Sequence, residues 1–236
     1  MKKILLLSFV MGLPTVISAN PLSLFYASVF GNENASGSYQ KMIQHAFEDY
    51  GYPFDSSVPI KKMNSLASKL VGAQLYSFTM FGFWLNEELL DDADESIRAW
   101  IIYHEVAHYI LGHHAKALGL AAIMIPLIAM TNSFAQYRYG KLPGLAIAGS
   151  FAYGLHSYAL KPYIKQQEKE ADLAVLRLLW RIDKVHPIIS HYLDFLQKNV
   201  ESNGGDQTDG WHYTLAEQYE YLNGTYLTLM AEFRFQ

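Results

Sequence analysis

Apolar positions recur at helical spacing between Tyr39 and Tyr50, where Met42, Ile43, Ala46 and Phe47 share one side. Gly51-Tyr52-Pro53 stops the run, so the pattern predicts a short amphipathic helix. The period then changes. Val58 to Met63 reads as a strand opened by Pro59, and Ala73 to Leu85 is dense in aromatic and β-favouring side chains. The latter reads as a strand pair or one long bent strand, with Gly82 at a bulge. Next comes an acidic cluster, Asp91, Asp92, Asp94 and Glu95, followed by a periodic apolar run. Carboxylates complement the positive end of a helix dipole, so a helix is expected from about Asp94 to Leu118. A further helix is expected where apolar residues follow Gln166-Gln167-Glu168-Lys169-Glu170-Ala171-Asp172.

Between these helices lie two apolar stretches, Leu118 to Met130 and Leu142 to Leu160, joined by a polar turn with Arg138 and Lys141. They read as an apolar helical hairpin over 118–160. Both are marginal for a bilayer that requires ~20 apolar residues. The expected arrangement is a hairpin packed on the preceding helix or dipping into a membrane surface, giving possible peripheral membrane contact through 118–160. The start of the chain supplies a compartment. Lys2 and Lys3, the apolar run Ile4 to Val10 and the small residue Ala19 read as a secretory signal peptide, residues 1–19. The remainder, 20–236, reads as one domain that is periplasmic or otherwise exported. Glu201 to Gly210 reads as a flexible polar loop beside the cleft.

Composition narrows the chemistry. The chain has 236 residues, a net charge of −4 and no cysteine. The acidic balance offers no excess of cations for phosphates, so no nucleic-acid partner is expected. Thiolate metal sites, cysteine nucleophiles and disulfides are excluded, so any metal must sit on His, Asp or Glu.

Such a site is written in His104-Glu105-Val106-Ala107-His108. Two imidazoles four residues apart project from one helix face and can share one cation. Glu105, about 100° round the helix, can reach a water on the open side. Ile101, Ile102, Val106, Ala107 and Ile110 give the helix the apolar flanks of a buried element. A catalytic zinc site usually takes three protein ligands and a water. His114 has the final spacing of H-E-x-x-H-x-x-G-x-x-H, but Leu111 stands where that pattern has glycine, and Gly112 comes one place late. The better candidate is the pair Glu168 and Asp172, four apart on one helix face. One carboxylate can bind the metal while the other orients an imidazole.

His104-Glu105-x-x-His108, then His113, then Glu168-x-x-Ala171-Asp172, resembles the gluzincin zinc metallopeptidases related to the heat-shock membrane protease HtpX, the prenyl-protein (CAAX) endopeptidase and the periplasmic protease-chaperone BepA. Gly82 to Leu90 with the acidic stretch behind it is similar to that family's edge strand and the helix leading to the metal helix. The resemblance runs from about Val58 to Leu222. It implies a mainly α fold with a small β-sheet (α+β) in the thermolysin-like zincin arrangement. It also implies zinc on His104, His108 and Glu168, Glu105 as general base, and Asp172 behind a ligand histidine. An extended polypeptide substrate would pair with a strand edge at Met80, Phe81, Gly82, Phe83 and Trp84. Gly210 to Gln218 is similar to the family's Thr-His-Pro...Arg segment, which makes His212 a candidate catalytic residue, although Tyr213 replaces the proline and Gln218 the arginine.

The function expected on this basis is a zinc endopeptidase that hydrolyses misfolded envelope proteins through an activated water. The alternatives are a protease-like chaperone or binding module with little turnover, and a membrane-inserted protease. His45, His156, His186 and His191 are scattered singly and read as packing or surface residues.

Overall fold

In the computed structural model, which describes residues 31–64, 77–79, 82–203 and 214–233, helices dominate and one three-stranded sheet accompanies them. The expected signal peptide (residues 1–19), residues 80, 81 and 212, and most of the expected loop at 201–210 lie outside the described residues. The first helix among the described residues, α1 (Gly37–Tyr50), ends at Gly51 in the left-handed conformation, as its stop sequence predicts. The sheet comprises β1 (Ile60–Lys62), β2 (Ser77–Thr79) and β3 (Phe83–Leu85).

The order is β1-β3-β2, with β3 parallel to β1 and antiparallel to β2. Phe83 and Trp84 therefore lie in the central strand, and neither can present a free edge to a substrate. Their side chains are essentially inaccessible. An aromatic, β-favouring run buried on both faces belongs in the middle of a sheet. The Trp84 indole nitrogen donates to the Gly31 carbonyl at 3.1 Å. Gly82, just before β3, is held where an added Cβ would lie 2.5 Å from the Pro59 oxygen. Among the described residues β2 has no second partner strand.

A short helix, α2 (Glu87–Asp92), leads into α3 (Glu95–Ile110). Asp94 caps α3 by accepting the Ser96 amide at 2.8 Å. The Arg98 guanidinium donates to the carbonyls of Leu90, Asp91 and Ala93, fastening the turn between the two helices. The expected run to Leu118 is interrupted: α3 ends at Ile110, and Gly112 takes φ 65°, ψ 29°. That left-handed residue, which glycine adopts without steric cost, redirects the chain into α4 (His113–Tyr139).

Helix α4 carries Pro126 in its interior, and Gly140 separates it from α5 (Lys141–Leu155). A π-helical turn, His156–Leu160, joins α5 to α6 (Lys161–Arg181). The chain closes with α7 (Val185–Asn203) and α8 (Leu215–Phe233). The core lies between α1, α3, α6, α7 and the sheet. Trp100, Val106 and Ala107 of α3 meet Ala171, Val175, Leu176 and Leu179 of α6 in one buried cluster. Tyr192 of α7 stacks on Trp100 at 4.7 Å between ring centroids. The α4–α5 hairpin packs chiefly on itself, instead of lying along α3.

Candidate metal centre

Helix α3 has its apolar face against α6, and this contact places the functional side chains of both helices. His104 and His108 are one turn apart, with their Nε2 atoms 2.9 Å from each other. Glu168 enters from α6, with Oε2 3.2 Å from His104 Nε2 and Oε1 3.4 Å from His108 Nε2. The three residues can each offer one ligand atom within 4.8 Å of the others. His108 and Glu168 are buried. Two imidazoles and one carboxylate are the donor set of a catalytic zinc site that keeps a position for water, so the residues fit the ion.

Behind the donors, Asp172 Oδ1 lies 2.9 Å from His104 Nδ1. Its other oxygen accepts from the Gln218 amide at 3.3 Å. Gln218, which stands where the family segment usually has arginine, thus supplies a neutral donor from α8 to the same carboxylate. Thr214 and Glu217 form a reciprocal capping box at the start of α8, and the Lys165 ammonium pairs with Glu217 at 2.7 Å. These contacts fix α8 against α6.

Burial alone would pull the His104 imidazole down, but the carboxylates of Asp172 and Glu168 outweigh it and hold the ring well above the ordinary histidine value. Burial pushes Glu168 up, and the neighbouring His108 and His104 overcome that and keep it well below the usual carboxylate range. For Asp172 burial is the larger influence and raises it against the pull of His104 and Gln218. A cation bound between the rings would replace the shared proton as the balancing charge.

Other sequence candidates are placed less directly. Glu105, next to His104 on α3, is partly buried. His114 does not join the metal-binding group; its ring centroid lies 5.8 Å from that of His108. His113 and Glu170 enter the site instead. His113 Nδ1 is 2.9 Å from His108 Nδ1, and His113 Nε2 is 3.3 Å from Glu170 Oε2. Spacing alone conceals this contact, because residues five apart on a continuous helix face different ways. The available signal was Gly112, whose left-handed turn brings His113 back beneath His108.

Residues 33–192 match the family model described as peptidase family M48. No curated protein and no solved structure matches the chain. The matched stretch covers more than half of the chain and includes both histidines of α3 together with Glu168 and Asp172 of α6. The chain therefore belongs to peptidase family M48 and is a zinc metallopeptidase.

Proposed function

We propose that His104, His108 and Glu168 hold the catalytic zinc, that Glu105 is the general base, and that the enzyme is an exported endopeptidase acting on misfolded envelope polypeptides. The observation that carries the site assignment is the convergence of two α3 imidazoles and one α6 carboxylate, with Asp172 behind His104. Zinc in such a site supplies Lewis acidity, polarising a peptide carbonyl and acidifying a coordinated water. Glu105 takes the proton of the attacking water as its oxygen joins the carbonyl carbon. It then delivers that proton to the amine nitrogen as the C–N bond breaks. Asp172 holds the His104 ring in the tautomer that leaves Nε2 free. On the resemblance alone, His212 is the candidate for stabilising the developing oxyanion. The arrangement is read as thermolysin-like, with an extended substrate strand adding to the outer edge of β2, which runs beside α3. Backbone pairing of that kind selects an unfolded chain more than a sequence, and the signal-like residues 1–19 support export.

Glu105→Gln should retain zinc and lose roughly 10²–10⁴-fold in cleavage of an unfolded, casein-like substrate. Unchanged cleavage would remove Glu105 from the reaction. Chaperone activity surviving the replacement would favour the reading with little turnover.

The hairpin favours a second reading, in which the protease is inserted in a membrane. Helix α4 is long and apolar enough to cross a bilayer, and only 6% of its most apolar window is buried. Ile123, Met130, Phe134 and Leu142 are exposed. Tyr137 and Tyr139 flank the basic tip, and Tyr153 and Tyr158 stand toward the other end, the pattern of interfacial aromatic anchors. Retention of the chain in carbonate-washed membranes supports insertion, and full release to the supernatant defeats it.

A further inference from the structure

We propose that His113 and Glu170 form a relay that positions the metal ligand His108, as Asp172 does for His104. Resting on the ligand assignment above, the inference follows from the hydrogen-bonding capacity of each group in the chain Glu170–His113–His108. An ionised carboxylate can only accept. Glu170 Oε2 therefore requires the proton of His113 to sit on Nε2, 3.3 Å away. The neutral His113 ring then has a lone pair at Nδ1, which faces His108 Nδ1 at 2.9 Å. That contact is a hydrogen bond only if His108 carries its proton on Nδ1, which leaves the His108 Nε2 lone pair directed at His104 and Glu168. One exposed carboxylate thus sets the tautomer of two successive rings.

The relay is enclosed at His113 and braced by neighbouring amides. His113 is 1% exposed, and its carbonyl accepts the buried Gln167 amide at 3.1 Å. The Gln166 amide donates to the second oxygen of Glu170 at 3.2 Å, leaving Oε2 for the ring. Residues 166–172 of α6 therefore serve both ligand histidines: Asp172 bonds directly to His104, while Glu170 reaches His108 through His113. Supports of this kind typically change metal affinity by 10–100-fold.

The test is zinc affinity by chelator competition on the full-length chain, with circular dichroism checking that each variant is folded. His113→Leu, which keeps the bulk but cannot accept, should weaken zinc about 10–100-fold. His113→Asn places an amide oxygen where Nδ1 stands and should recover most of that loss. Glu170→Ala, at an exposed position, should produce a smaller loss in the same direction. In the zinc-loaded protein, long-range 1H–15N spectra should show His108 protonated at Nδ1. Equal affinity in His113→Leu and the unaltered protein, or a His108 proton on Nε2, overturns the relay. Zinc binding that survives His108→Ala and Glu168→Ala would instead overturn the ligand assignment.

Discussion

The α3–α6 pair and the α4–α5 hairpin are both rich in apolar residues, yet they use them in opposite ways. In α3 and α6 the apolar positions lie on one face, and Val106, Ala107, Ala171, Val175, Leu176 and Leu179 are fully buried against neighbours. In α4 and α5 the apolar residues surround the helices, and most large ones face outward. A helix with a single apolar face is satisfied by a protein core; one that is apolar all round requires a larger protein or lipid. The first pair can thus hold chemistry in place, while the second leaves its apolar side chains exposed. Gly112 is the residue that separates the two regimes.

The sharpest way to break this contrast is in the core. Leu179→Ala should cost about 2–5 kcal/mol in chemical denaturation, because the side chain is fully enclosed. The junction should be less sensitive. An added Cβ at Gly112 meets nothing within 4 Å, so Gly112→Ala should cost only the backbone penalty of the left-handed conformation, about 1–2 kcal/mol. The smallest effect belongs to the hairpin: Ile123→Ser and Phe134→Ser should each change aqueous stability by less than about 0.5 kcal/mol while reducing binding to phospholipid vesicles. A loss of stability as large as that of Leu179→Ala would show that the hairpin is part of the core.

The same contrast predicts a pH dependence at the α3–α6 pair. Folding raises His104 above its ordinary value of 6.5, so the metal-free fold holds this proton more tightly than the unfolded chain. Its stabilising contribution is complete below 6.5 and disappears as pH rises through the folded-state value. Zinc must displace the proton, so zinc affinity should rise with pH across that interval. Chelator competition at several pH values measures this, and Asp172→Asn should flatten the profile by removing the first carboxylate that raises His104.

How much was legible depended on distance along the chain. The His104, Glu105 and His108 cluster could be read directly, since helical periodicity places residues four apart on one face. The Glu168 and Asp172 pair could be read as a shared face, but not which oxygen meets which ring. The strand at Phe83 and Trp84 was legible as a strand and misjudged as an edge: pairing partners are chosen by residues more than twenty positions away, as in Ile60 opposite Phe83. Gln218 looked like a departure from a family pattern until the packing of α8 on α6 brought its amide to Asp172.

By itself, the sequence determined the local chemistry: the imidazole pair, the adjacent carboxylate, the absence of thiols and the apolar character of the hairpin. Each follows from residue type and helical period. Only the tertiary structure decided that β3 is central, that Gly112 turns His113 under His108, and that Glu170 lies at the far end of that contact. Those outcomes arise from a single left-handed residue and from the packing of helices distant in the chain, which no local period encodes.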